Sequence, residues 1–277
     1  MKIFRHLAIL LSASLTTFAA PVLANEPKDW QLGLQPPVSP SAVRINEFHD
    51  MLLWIIFGIA IFVLLLLVWV IIRYNSKVNP EPAKFTHNVL IEVIWTVVPV
   101  IILIIIAIPS FKVLYYNDSV ENPEMTLKIT GYAWYWGYEY PDHDGISFLA
   151  NMVPDEDIGP DQRRLLSTDN VVVLPIDTNI ALQITAGDVL HSWTVPAFGV
   201  KMDAVPGRLN ETWVRIEKPG TYYGQCSELC GLKHAYMPIE IRAVTKEEFE
   251  EWLVTAKEEF ASLESDDALI RLAGFQN

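Results

Sequence analysis

Met125-Thr126-Leu127-Lys128-Ile129-Thr130 alternates apolar and polar side chains at every step, and Ile180-Ala181-Leu182-Gln183-Ile184-Thr185 repeats the pattern. A period of two is that of a strand with one face buried. Residues 170–174 and 238–244 read as further strands, and Pro-Gly at 206–207 and 219–220 marks turns. Short strands between turn signals predict an antiparallel sandwich or barrel. Residues 141–169 break the rhythm with Pro, Gly, Asp and Glu and read as a long surface excursion. Downstream, 246–263 is charged, with Phe249, Trp252, Leu253 and Phe260 spaced for one helical face. That pattern predicts a terminal helix packed on the barrel.

Upstream the periodicity gives way to solid apolar runs. Residues 51–72 carry no charge over 22 positions, a helix of roughly 33 Å at about 1.5 Å per residue. Residues 93–111 are 19 uncharged positions that include Pro99 and Pro109. Proline is tolerated in a membrane helix where neighbouring groups re-satisfy the backbone. The connection 73–88 holds Arg73, Lys77 and Lys84 against Glu81, so the positive-inside rule puts it in the cytoplasm. The first residues read as a secretory signal: Lys2 and Arg5, an apolar stretch to about Ala20, and Val22-Leu23-Ala24 before a cleavage point. Both arguments leave the termini on the exported side. Glu92 stands at the edge of the second span, where an ionisable group belongs either to a pathway or to the headgroup level.

Charge is segregated too. The 277 residues carry a net −13, and from Lys112 onward there are 27 acidic against 13 basic residues. An acidic exported face disfavours nucleic acid and suits a cationic protein partner, or it merely keeps the domain soluble.

The chain has two cysteines, in Cys226-Ser227-Glu228-Leu229-Cys230, with His234 and Met237 following and His191 lying 35 residues upstream. In an oxidising compartment two cysteines ordinarily form a disulfide. The neighbours argue otherwise. Two thiolates, two imidazoles and a thioether form a soft-to-borderline set that favours copper over magnesium, calcium or manganese. A one-copper electron-transfer site uses two His, one Cys and a weak Met, so here one thiolate is left over. Structural zinc is the other candidate, but it leaves Met237 without a role. Two metals explain more residues than one.

These residues carry a resemblance. Tyr222-Tyr223-Gly224-Gln225-Cys226-Ser227-Glu228-Leu229-Cys230-Gly231, followed by His234 and Met237-Pro238, resembles the CuA loop of cytochrome c oxidase subunit II. Asp188-Val189-Leu190-His191-Ser192-Trp193, Asp203-Ala204-Val205-Pro206-Gly207-Arg208 and Trp134-Tyr135-Trp136 resemble its other signatures. The resemblance implies a membrane-anchored all-β protein, in which a two-helix hairpin precedes a cupredoxin-like Greek-key barrel with a C-terminal helix. It implies a signal peptide at 1–24, an exported segment at 25–48, spans at 49–73 and 89–114 joined by loop 74–88, a copper domain at 115–245 and a helix and tail at 246–277.

The implied roles are specific. His191, Cys226, Cys230, His234 and Met237 ligate two copper ions, with the Glu228 carbonyl as a weak ligand. The Glu228 side chain helps hold magnesium or manganese at subunit I. Trp134 is the surface aromatic through which cytochrome c delivers its electron, and Trp136 and Tyr135 are structural. Glu92 matches a carboxylate at the mouth of a proton channel. Asp188 and Glu139 are candidate docking charges for a basic cytochrome c. The implied partners are subunits I and III, cytochrome c and the lipid bilayer, at a bacterial inner membrane with the copper domain in the periplasm. Rival readings are a nitrous oxide reductase domain, a membrane-tethered copper chaperone or store, and a disulfide-stapled interaction domain.

Overall fold

A computed structural model describes residues 24–118 and 122–260. The expected signal segment, save Ala24, and the tail beyond 260 lie outside the described residues. Two long helices lead: α1, Pro40–Arg73, and α2, Val89–Asp118. Their apolar side chains point outward all round and the chain does not cover them, so their solvent is lipid. Pro99 and Pro109 lie inside α2 without ending it.

Helix α1 begins earlier than hydropathy suggests. Ser39 caps it by accepting from Ala42 N at 3.0 Å, and Pro40 supplies a preset first turn. The helix therefore starts at 40 rather than 49, because a capped polar first turn leaves no mark on hydropathy. α2 is capped reciprocally. The Asn88 side chain accepts from Leu90 N and Ile91 N, and the Glu92 carboxylate accepts from Asn88 N at 3.3 Å.

The described residues form eleven strands, four of them at the expected places: β1 Ala24–Asn25, β2 Met125–Tyr132, β3 Tyr135–Tyr140, β4 Ile146–Ala150, β5 Val172–Pro175, β6 Ile180–Ala186, β7 His191–Val195, β8 Val200–Ala204, β9 Asn210–Val214, β10 Gly220–Cys226 and β11 Pro238–Val244. They form two sheets among the described residues. One runs β5-β11-β10-β7-β8 with β1 beside β10, and the other β4-β3-β2-β6-β9. Most neighbours are antiparallel, but β2 pairs β6 and β5 pairs β11 in parallel, so the chain crosses between sheets. The excursion at 141–169 is not wholly irregular, since β4 lies within it and pairs with β3.

The core lies between the sheets, with Leu127, Ile129, Trp136, Leu174, Leu182, Ile184 and Trp193 fully buried. Helix α3, Lys246–Phe260, covers one end. Thr245 and Glu248 form its capping box, at 2.9 and 3.2 Å. Its buried face is Phe249, Leu253 and Ala256, and Phe260 stacks on Phe148.

The hairpin is joined to the barrel near both its first and its last residues. Ser39 Oγ donates to Phe198 O at 2.7 Å, Val38 N to Ala197 O and Glu217 N to Val38 O. Gly199, at φ 66°, leaves no room for a Cβ, which would meet the Ala42 backbone at 2.8 Å. Near the other end, Trp213 Nε1 donates to Tyr116 O at 3.1 Å, and the Arg44 guanidinium lies 3.9 Å above the Tyr116 ring.

Candidate metal centre

The start of β7 runs beside the end of β10: Cys226 pairs with Trp193 and Gln225 with Thr194, so His191 stands two residues beyond the partner of Cys226, on the same side of the sheet. That register sets His191 against Cys226. The chain then leaves the sheet in a loop fixed by Ser227 N donating to Ser192 O at 2.9 Å. Gly231 turns it at φ 114°, and a short 3-10 turn, His234–Tyr236, returns it to β11. This path folds four donors of one segment back towards His191.

Cys226 Sγ lies 3.9 Å from His191 Nδ1, 3.8 Å from Cys230 Sγ and 3.3 Å from the Glu228 carbonyl. Cys230 Sγ lies 3.5 Å from both His234 Nδ1 and Met237 Sδ. The ligand atoms of His191, Cys226 and Cys230 all fall within 4.8 Å of one another, and all three residues are buried. The sulfurs are separate thiols, much farther apart than the roughly 2.05 Å of a disulfide.

Two buried thiols this close cannot both ionise easily without a cation. Burial pushes Cys226 up, but hydrogen bonding to His191 and to the backbone at Glu228 and Ser192 outweighs it and holds that thiol below the usual range. Burial, and then the charge on Cys226, push Cys230 well above it. A bound cation would remove that conflict. The residues fit copper: two thiols, two imidazoles and a thioether lie together, all buried except the half-buried His234.

Side chains outside the loop orient these donors. Asp188 accepts from His191 Nε2 at 2.9 Å, so Nε2 keeps a proton, and Nδ1, which faces the sulfurs, is the nitrogen that gives up its proton to a metal. Trp136, fully buried, meets the His191 ring edge-on and donates from Nε1 to Met237 O at 3.2 Å. Gly131 makes room for the ring, since a Cβ there would come 2.9 Å from His191 Cδ2. Trp134, half-buried, donates from Nε1 to Cys230 O at 3.1 Å. Gly131 escapes the sequence reading, and Trp136, read there as structural, is the residue that packs on the His191 ring and holds the Met237 carbonyl.

The other expected site residues lie apart. Glu92 caps α2. The Glu228 side chain is exposed. Glu139 pairs with Lys128 at 2.7 Å, and Asp188 is occupied by His191 and by the backbone of Ala133 and Val189. Apolar side chains ring the centre outside, with Leu229 76% and Leu232 88% exposed.

Fold and site together define a membrane-anchored cupredoxin-like domain with a clustered His/Cys metal centre. Family comparison agrees. Residues 125–244 match the periplasmic domain, and 27–113 the transmembrane domain, of cytochrome c oxidase subunit II. A probable cytochrome c oxidase subunit 2 of Rickettsia bellii is 51% identical over 247 residues, 89% of this chain and 92% of that one. Cytochrome c oxidase subunit 2 of Cereibacter sphaeroides is 43% identical over 253 residues, 85% of this chain and 83% of that one. The crystal structure of the periplasmic domain of subunit II of cytochrome oxidase of Bradyrhizobium japonicum shares 50% identity at a TM-score of 0.48, covering 51% of this chain and 99% of that one. The chain belongs to the cytochrome c oxidase subunit II family, and as such is a membrane component of an oxidoreductase complex.

Proposed function

We propose that this chain takes electrons from cytochrome c at a dinuclear copper centre and passes them to the haem of subunit I, where oxygen is reduced to water with proton pumping. The observation that carries the reading is the buried cluster of His191, Cys226 and Cys230, with ligand atoms within 4.8 Å of one another and with His234 Nδ1 and Met237 Sδ each 3.5 Å from the Cys230 sulfur. A copper pair held there supplies a one-electron carrier whose charge change is spread over both ions, so little need move on transfer.

The protein's part is to hold that geometry still. Cys226 and Cys230 supply the two thiolates, His191 and His234 the imidazoles, and Met237 and the Glu228 carbonyl the weak donors. The sheet ends and the Trp136 and Asp188 hydrogen bonds fix the ligands before metal arrives. Trp134 touches the loop through Cys230 O and is partly open to solvent, which suits the aromatic facing the donor. Exposed Leu229 and Leu232 suit an apolar contact, and the acidic domain suits a basic cytochrome c that it attracts over distance. The Glu228 carboxylate, exposed at the loop, is free to share magnesium or manganese with subunit I. Glu92, near the start of α2, is assigned to the proton-channel mouth. The basic connection between the helices supports a periplasmic copper domain at a bacterial inner membrane.

Electron paramagnetic resonance of the copper-loaded full chain in detergent, with metal content measured alongside, tests this. One electron shared equally by two coppers is expected. A single-copper spectrum, bound zinc, or a Cys226–Cys230 disulfide would overturn it. Trp134→Phe should slow reduction by cytochrome c while the two-copper spectrum persists.

A further inference from the structure

Asp188 has two neighbours that belong to different parts of the site. Its Oδ1 accepts from His191 Nε2 at 2.9 Å and from Val189 N at 2.6 Å. Its Oδ2 accepts from Ala133 N at 2.6 Å. Ala133 and Trp134 are the two residues between β2 and β3, and Trp134 Nε1 donates to Cys230 O at 3.1 Å. The contacts close a ring: His191, Asp188, the Ala133–Trp134 turn, Cys230, Cys226 and back to His191.

An ionised carboxylate only accepts hydrogen bonds, so this one dictates which imidazole nitrogen carries the proton. It also spans 55 residues of sequence to fix the turn that carries Trp134. Its two oxygens face these partners. The sequence suggests a docking charge here, and the side chain is 37% exposed, but both its oxygens are already engaged within the domain.

We propose that Asp188 is a positioning residue that sets the tautomer and tilt of His191 and ties the Trp134 turn to the metal loop, so that ligand and surface aromatic are held as one unit. This rests on the reading of His191 as a copper ligand and of Trp134 as the aromatic facing the donor. The two roles for Asp188 differ in their response to salt. A docking charge acts through a field that is screened beyond about 10 Å at 0.1 M salt. Short hydrogen bonds inside the domain are not screened in that way.

The test compares wild type, Asp188→Ala and Asp188→Asn, the last keeping one side-chain oxygen to accept from Nε2. In the metal-free full chain in detergent, nitrogen-15 spectra of the histidine rings report the tautomer, with His191→Ala assigning the signal. The expected result is a single Nε2-protonated form in wild type, a tautomer mixture in Asp188→Ala, and recovery of most of the single form in Asp188→Asn. After copper loading, the hyperfine pattern shifts in Asp188→Ala and moves back towards wild type in Asp188→Asn. In the assembled oxidase, reduction by cytochrome c slows about tenfold or more in Asp188→Ala, the usual scale for losing a partner behind a metal ligand. The loss keeps the same size at low and high ionic strength.

An unchanged tautomer and copper spectrum in Asp188→Ala, with a rate loss that disappears in high salt, overturns the proposal and leaves Asp188 a docking charge. A wild-type copper spectrum that His191→Ala leaves untouched overturns the ligand reading and the proposal together. The two failures are thus distinguishable.

Discussion

The helix hairpin and the metal loop are built on opposite logics. In α1 and α2 the outward side chains are nearly interchangeable apolar groups, and what matters is how many there are and where charge resumes. In the eleven residues 227–237 almost every position has its own role, as donor, turn, cap of a carbonyl or exposed rim. Composition specifies the first and geometry the second. A region specified by composition tolerates exchange, and a region specified by geometry does not.

The sharpest break of that contrast comes from the thiols. Cys226→Ser and Cys230→Ser should each abolish the two-copper signal, read by metal content and paramagnetic resonance; retention of both ions would mean the loop is less exacting than argued. Next comes the layer beneath. Trp136→Ala should cost about 3–5 kcal/mol, seen as a lowered unfolding temperature of the β-domain by circular dichroism. Trp136→Phe keeps most of the packing and loses the bond to Met237 O, at about 1 kcal/mol. Gly131→Ala should cost about 1–3 kcal/mol, because a Cβ meets the His191 ring at 2.9 Å, and it should also shift the copper hyperfine pattern.

A smaller effect is expected at Glu240, away from the metal. Burial raises its pKa, partly offset by hydrogen bonds from Thr168 N, Ser167 and Tyr223. The native state therefore keeps this proton at a pH where the unfolded chain has lost it. The stability this contributes is full below the ordinary glutamate pKa and falls as pH rises through the raised one. Unfolding temperatures measured from about pH 4 to about pH 8 should show that decline in wild type. In Glu240→Gln the decline should be flatter. The smallest effect belongs to the hairpin: Ile104→Leu should change stability by under about 0.5 kcal/mol and leave copper loading alone. A measurable loss there would show that α2 is read residue by residue after all.

The same contrast explains what is legible in the sequence. The alternation at 125–130 and 180–185 matches β2 and β6, and the strand expected at 238–244 is β11. The donors of the loop stand out because four of them fall within twelve residues, 226–237, and their chemistry is unusual. β4 is hidden because Asp142, Asp144 and Gly145 dominate its neighbourhood, although Ile146, Phe148 and Ala150 alternate inward. Trp136, Gly131 and Asp188 cannot be read as His191's neighbours, because that proximity is created by sheet pairing and a turn contact. Sequence spacing carries no trace of a contact between 131 and 191.

Helix α1 has a mechanical consequence of its own. It runs unbroken from a cap buried in the barrel to Arg73, with its charge-free stretch starting only at Met51. About 16 Å of rigid rod thus separates barrel from apolar span, at about 1.5 Å per residue. Each residue inserted between 45 and 51 would press for a rise of about 1.5 Å and a turn of about 100°, against the second tie from Trp213 to Tyr116 of α2. Residue count in this stem is a gear setting that, together with the Tyr116 tie, sets the altitude and the azimuth at which the metal loop faces whatever lies beside it in the membrane.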